Sequence, residues 1–350
     1  MTTNTQMKPS VRQHGFSLIE LMIAMTIGLI ALAGIGYLFL ESRQAFRSMD
    51  SLSRMQESAR YALETMARDI RMAGYRGCAS SNVELKSTVN TPTGFAYDFS
   101  VPINGFDATG ATWSPVLPTG TGGLSGVQTG TDAFTLRGAF GGGSTITAQP
   151  GGSSAVVKVA TPNDFAPDDI VMATNCALAT VFQITNPYGK GGDTVVHNTG
   201  AGTPGNSTMD LAGIFVGGEL IKMQTKSYFI RESASSTVAN KRYSLWQFDN
   251  YKPTGGDNPA EIAEGVENMQ IEYGSDADSN GIVDSYTTAD VVADWKKVAA
   301  VRISLLVAGN DDNVASSKQK YNYNKAAVTA DDFRLRQVFT TTVGVRNRIQ

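Results

Sequence analysis

From Phe16 to Leu40 the chain is an apolar run with a single charged residue, Glu20. As a helix, a stretch of about 25 residues rises roughly 37 Å, enough to span a bilayer with some tilt. Lys8 and Arg12 precede it without an acid, which puts the start on the cytoplasmic side by the positive-inside rule and sends the rest across. A lone carboxylate at the centre of a membrane costs about 2.5–3.5 kcal/mol on insertion scales. Glu20 sits nearer the interface, where the cost is smaller, yet it still needs a partner. Cleavage between Gly15 and Phe16 creates an α-amine on Phe16, and its positive charge suits the Glu20 carboxylate of a neighbouring copy. A plain single-span anchor leaves Glu20 unexplained. A secretory signal cut after Ala31-Leu32-Ala33 would have its apolar region interrupted by Glu20.

No proline interrupts Phe16 to Ala73. Phe46, Met49, Leu52, Ala59, Leu63, Met66, Ile70 and Ala73 recur at three- and four-residue steps, with Gln56 in the series, and predict one stripe of an amphipathic helix. Charged residues, among them Arg60, Glu64, Arg68 and Asp69, occupy the other faces. Such a helix of about 58 residues would run roughly 87 Å. Its second half is expected to pack on a head domain, and Gly74 and Gly77 offer stops.

Lys+Arg is 29 and Asp+Glu is 32, a formal net charge of -3, so no strong field for nucleic acid is predicted. Removing residues 1–15 takes away Lys8 and Arg12 and moves that charge from -3 to -5. The two histidines are His14 and His197; with His14 in the removed segment, a histidine-based acid–base or metal mechanism has little to work with. Cys78 and Cys176 are distant in sequence and form no CxxC pair. In an exported chain they read as one disulfide, the alternative being two buried thiols.

Gly15-Phe16-Ser17-Leu18-Ile19-Glu20 followed by Leu21-Met22-Ile23-Ala24 resembles the class III leader and N-terminal methylation motif of type IV pilins and pseudopilins. The resemblance implies cleavage after Gly15 by a prepilin peptidase, N-methylation of Phe16, and pairing of Glu20 with an adjacent amine during assembly. It divides the chain into a leader (1–15), a transmembrane or filament-core helix (16–40), an amphipathic continuation (41–77) and a periplasmic or extracellular head (78–350).

In the head, residues 80 to about 152 are rich in Gly, Thr, Ser, Asn and Pro and read as long loops with a few strands, such as 133–136. The glycines at 141–143 and 189–192 lack the lysine and the strand–helix context of a phosphate cradle. Shorter strands are predicted at 155–160, 169–173, 180–185 and 194–198, then a broken pair over 219–231 and one over 242–248. Three late segments alternate with period two: Val266, Met269, Ile271 and Tyr273; Ala299 to Val307; and Phe333, Leu335, Phe339, Val343 and Val345, with Arg334, Arg336, Thr340, Thr342, Arg346 and Arg348 opposite. The predicted fold is α+β: a long N-terminal helix packed on a mainly antiparallel β-sheet head with long loops. Residues 265–274, 301–307 and 336–348, together with 59–64 and 69–75, resemble the PilW-like family of large minor pilins. That resemblance implies a role in initiating filament assembly near the tip, with other minor and major pilins, an inner-membrane assembly platform and membrane lipid as partners. A minor pseudopilin of type II secretion shares the same N-terminal logic. A pilus-tip adhesin or DNA-uptake receptor on the same scaffold is a further alternative.

Asp276, Asp278, Asn280, Gly281, Ile282 and Asp284 match the opening of an EF-hand-type calcium loop: oxygens at positions 1, 3 and 5, glycine at 6, a carbonyl at 7 and a carboxylate at 9. Thr287 stands at position 12 in place of the bidentate glutamate. The segment therefore reads either as a weak structural calcium site or as an acidic turn, and no cofactor is required. His197 is expected to be an ordinary surface or strand residue. The arginines near the C-terminus read as solvated or paired, and Glu261, Glu264 and Glu267 are not expected to form a catalytic pair. No enzymatic activity is expected.

Overall fold

The computed structural model describes residues 15, 17–80, 82–118, 124–151, 154–185, 191–200, 202–250 and 258–347. They fall into two units, one ending at Asp50 and the other beginning at Ser51. Residues 1–14, Phe16 and Arg348 lie outside the described residues, and with them most of the predicted leader.

One helix, α1 (Leu18–Met72), follows Ser17. It ends where Gly74 and Gly77 take φ values of 73° and 61°, in the left-handed region that glycine adopts without penalty. A Cβ on Gly74 would also meet the Pro102 ring at 3.0 Å. In the first unit, Leu18 to Leu40 is exposed almost throughout, with Leu18 at 80% and Ile30 at 73%.

In the second unit the helix buries Ser51, Met55, Ala59, Ala62, Met66 and Ile70. This seam differs from the expected one at its start: Leu52 is exposed, as are Phe46 and Met49 in the first unit. The reason is close packing. Ser51 meets the backbone at Gly309, where an added Cβ would lie 2.2 Å from its Oγ, and Ala59 and Ala62 are small enough to bring the helix onto the sheets. Asp69, expected on an outer face, is buried as well.

After the helix come β1 (Leu85–Ser87), β2 (Ile103–Thr109), β3 (Thr112–Ser114), β4 (Ala133–Gly138), β5 (Gly143–Ala148) and β6 (Val156–Val159). Next are β7 (Ile170–Thr174), β8 (Ala179–Gln183), β9 (Thr194–Val196), β10 (Glu219–Lys222) and β11 (Gln224–Glu232). The chain continues with β12 (Tyr243–Asp249), β13 (Ala260–Glu264), β14 (Val266–Ser275), β15 (Ser285–Thr287) and β16 (Val298–Ala308). It closes with β17 (Lys320–Tyr323), β18 (Ala326–Thr329) and β19 (Arg336–Gly344). The break expected within 219–231 falls at Met223. The region read as mostly loop from residue 80 also holds β1, β2, β3 and β5. Polar and glycine-rich strands such as Ile103–Thr109 and Gly143–Ala148 carry too weak an alternation to announce themselves.

Among the described residues, three sheets and one ribbon result. Seven strands run β1-β8-β7-β10-β5-β6-β9, six run β13-β12-β11-β4-β2-β3, four run β15-β14-β16-β19, and β17 pairs with β18. All pairings are antiparallel except β1 with β8. The fold is therefore the expected long helix with a mostly antiparallel head. The main core joins helix residues Met55 to Ala73 with Phe134, Tyr228, Met269, Ile303 and Val343, so the six- and four-stranded sheets share one apolar interior with the helix. The seven-stranded sheet holds a separate core around Phe182, Phe215 and Leu220. A disulfide joins Cys78, just past the helix, to Cys176 between β7 and β8.

Candidate functional site

The N-terminal residues form a reciprocal cap. The Ser17 N–H donates to Glu20 Oε2 at 2.9 Å, and the Glu20 N–H donates to Ser17 Oγ at 3.2 Å. This is a capping box, two otherwise orphaned helix N–H groups satisfied by a Ser and a Glu three residues apart. Glu20 thus has a local partner that the sequence reading missed, although the Ser-x-x-Glu spacing announces it. Thr26 is satisfied too, its hydroxyl donating to the Ile23 carbonyl, so Glu20 is the single charge in an exposed apolar surface. The helix is long and apolar enough to cross a membrane, with a mean hydropathy of 2.3 over its best window. Gly15 is described and exposed. Phe16, the expected site of methylation, is outside the described residues, so the cleavage and methylation expectations keep their basis in the motif.

The loop after β14 brings Asp276, Asp278 and Asp284 together, with one carboxylate oxygen from each within 4.8 Å of the others. The local fold follows from its Asx chemistry. Asp276 accepts from the N–H groups of Asn280 and Gly281, Asp278 from the Asn280 N–H, Asn280 from the Ile282 N–H, and Asp284 from the Ala277 N–H. Ser279 and Gly281 hold φ values of 63° and 85°, so the chain curls back at those two positions. Desolvation works to raise the Asp276 carboxyl, and the Gly281 and Asn280 N–H groups outweigh it, leaving it below its ordinary value. Ile282 presents no recorded side-chain role and is exposed.

Of the C-terminal arginines, Arg334 and Arg336 are paired, one of the two expected arrangements, but the wet face is a correction: both are buried. Both pair with Glu267 and Asp332; Arg336 Nε lies 2.7 Å from Glu267 and its Nη1 2.6 Å from Asp332. Burial pushes the Asp332 carboxyl up, and the bonds from Arg336 and Arg334 overcome that and hold it well below the usual carboxylate range. The cluster fastens the start of β19 and leaves only Arg346 of the described arginines exposed there. Glu261 instead accepts from Ser233, and Glu264 from Asn310, so the three glutamates do not converge. His197 is fully buried, its ring tilted against that of Phe182 with centroids 4.8 Å apart, and its Nε2 lies 3.1 Å from the Met209 carbonyl. Burial lowers its pKa against that bond. It is a core residue and not a surface one.

Among the buried carboxylates that escaped the sequence reading are Asp69 and Asp132. Asp69, on the helix, accepts from Lys226 Nζ at 3.1 Å, from the Tyr228 hydroxyl at 2.6 Å and from Gln247 Nε2 at 3.3 Å. Asp132, just before β4, accepts from the Ala108 N–H on β2 and from the Ile271 N–H on β14. It thereby staples the six-stranded sheet to the four-stranded one. Burial raises its pKa to about 7, against those two bonds. Neither residue has a sequence signature, because each partner arrives from a distant strand. A groove of ≈ 890 Å³ between helix residues 53–64 and β13 is lined by Arg54, Glu57, Arg60, Glu64 and Glu264 at its charged positions.

With this geometry in hand, two family models match the chain. Residues 227–347 match type IV pilus-assembly protein W, and residues 11–36 match the prokaryotic N-terminal methylation motif. The first covers β12 to β19 and most of β11; the second covers the apolar start of α1 and Glu20. A solved structure, a type IV-like pilin from Thermus thermophilus, is similar over 85% of this chain and 98% of its own, at 9% identity and a TM-score of 0.33. No curated protein matches the chain by sequence.

Proposed function

We propose that this chain, a type IV pilus-related minor pilin by its two family segments, is a structural subunit that helps prime a pilus and resides near its tip. It is inserted in the inner membrane with its head in the periplasm, cleaved after Gly15 by a prepilin peptidase and methylated on Phe16. It then packs beside other minor and major pilins through its apolar helix, handed on by an inner-membrane assembly platform. One observation carries the reading: an apolar helix start, Leu18–Leu40, exposed almost throughout and overlapping a methylation motif, whose single charge is Glu20. Exposed apolar surface on that scale is tolerated only in lipid or against other helices. The capping box adds a mechanism. Ser17 holds the Glu20 carboxylate at the helix start until a neighbour's new amine takes it, an ion pair that gains strength in an apolar surround.

The test separates capping from charge. Glu20→Gln keeps an acceptor for the Ser17 N–H, since Gln serves in a capping box as Glu does, and removes the charge. Intact-mass analysis of the wild-type protein should show a chain beginning at methylated Phe16. Processing should survive in both Glu20→Gln and Glu20→Ala, and both should be lost from filaments. Normal incorporation of Glu20→Gln would overturn the ion-pair role.

We further infer that the Asp276 loop takes calcium as a structural ion. Asp276, Asp278 and Asp284 bring one carboxylate oxygen each within 4.8 Å of the others, and oxygen-only donors at this spacing suit a hard ion. Residues Asp276, Asp278, Asn280 and Asp284 would supply side-chain oxygens and Ile282 its carbonyl. Lacking a glutamate at position 12, the site belongs among weak extracellular ones, with Kd on the order of 10⁻⁴–10⁻³ M. Added millimolar calcium should raise the thermal midpoint, and Asp278→Asn with Asp284→Asn should abolish the rise. An identical midpoint with calcium and with a chelator would remove the ion from the account.

A further inference from the structure

We propose that the free edge of β19 is a docking strand for an extended segment of a different pilin-like subunit, which adds to the four-stranded sheet by backbone pairing. The inference deepens the assembly role above and rests on it.

β19 is the last strand of its sheet, paired on one side with β16. The Val345 N–H bonds to the Ala299 carbonyl and the Gly309 N–H to the Leu335 carbonyl, so odd-numbered residues of this strand direct their N–H and C=O inward to β16. Even-numbered residues direct theirs outward. At Arg336 both outward groups are taken by one side-chain amide: the Arg336 N–H donates to Gln319 Oε1 at 2.6 Å, and Gln319 Nε2 donates to the Arg336 carbonyl at 2.7 Å. A side-chain amide doing what a peptide group does in a ladder shows that the edge accepts a planar amide at pairing distance. Beyond it, the outward groups of Val338, Thr340, Thr342 and Gly344 have no partner among the described residues.

Nothing in the sequence protects this edge. Native edges are blunted by charges, prolines or bulges, whereas Gln337 to Val345 holds no charge and no proline, and the pairing of β19 with β16 runs without a bulge. Val338, Thr340, Thr341, Thr342 and Val343 are β-branched and suited to a strand. Such an edge is a template for strand addition, in which main-chain bonds supply affinity and alternate side chains supply selection. Thr340 and Thr342 are exposed, while Val343 is buried and Phe339 half-buried on the opposite face. The partner strand is therefore one that alternates, apolar beside Phe339 and Val343, small or polar beside Thr340 and Thr342. A second β19 paired antiparallel does not fit the assembly. Antiparallel pairing of two copies sets a two-fold axis through the sheet face and turns one copy's helix residues 51–72 end for end, whereas subunits anchored by the same N-terminal helix point one way.

The full chain is co-expressed in detergent-solubilised membranes with each subunit of the same pilus system that carries the methylation motif, and hydrogen exchange is read over residues 333–347. In the chain alone the outward amides of Val338, Thr340, Thr342 and Gly344 should exchange fast. In the co-purified complex they should slow by at least about tenfold. Thr340→Pro removes one outward N–H and no backbone bond to β16, giving up only the exposed hydroxyl contact of Thr340 with Ser304, at a place where an edge tolerates proline; it should abolish co-purification and leave the thermal midpoint close to that of the wild type. Unchanged exchange in the complex, co-purification of Thr340→Pro at wild-type level, or no subunit that co-purifies would each overturn the proposal. So would protection that appears in the chain alone and rises with its concentration, which marks self-pairing. Glu20→Gln is measured alongside. Edge protection together with normal incorporation of that variant would sink the N-terminal reading and leave the edge standing.

Discussion

Asp132 shows how one side chain couples pH to the packing of two sheets. Its carboxylate accepts N–H groups from β2 and β14 and is almost wholly buried. Burial raises its folded pKa to about 7 from an ordinary value of 3.8. A raised carboxylate binds its proton more tightly folded than unfolded. Its contribution is therefore greatest at and below pH ~4 and is lost as the pH rises through ~7, by an amount on the order of a few kcal/mol. Asp132→Asn should flatten that part of the stability profile in urea titrations run from pH 4 to pH 8. A slope identical to that of the wild type would show that the proton sits elsewhere. Asp332 works in the opposite sense: its depressed carboxyl stabilises at neutral pH and that contribution fades as the pH falls below the usual carboxylate range.

The elements are joined by buried polar clusters as much as by apolar surface. Along residues 51–72 the helix offers alanines and methionines to the sheets, and Asp69 adds a buried charged contact, to Lys226, Tyr228 and Gln247 on β11 and β12. Asp69→Ala leaves Lys226 with an uncompensated charge and a buried hydroxyl without its acceptor, and should cost about 3–5 kcal/mol. Equilibrium unfolding of the head checks this, and a loss below 1 kcal/mol would mean that water replaces the carboxylate. Lys226 also lies over the Phe140 ring at 4.5 Å, so Lys226→Met should be milder than Asp69→Ala. At the other end of the head, the Glu267 and Asp332 pairs hold Arg334 and Arg336 at the start of β19. The Gln319 amide occupies the strand's first outward backbone groups, and the edge opens only beyond Arg336.

Across the whole molecule, what the sequence determined is the part that depends on neighbours along the chain. The apolar run with Glu20, the unbroken helix to Gly74, the period-two strands at 266–273 and 299–307 and the Asx loop at 276–284 are local patterns, and local sterics and hydrogen bonding settle them. The tertiary structure alone decided which helix face is the seam, moving it from Leu52 to Ser51 and Met55, because close approach at Gly309 selects it. It alone buried His197, Asp69 and Asp132, and turned an expected wet arginine face into a closed ion-pair cluster. In each case the partner lies far away in sequence. A buried polar group is stable only when a donor or acceptor meets it, and no pattern within a single segment records which distant strand will bring that group.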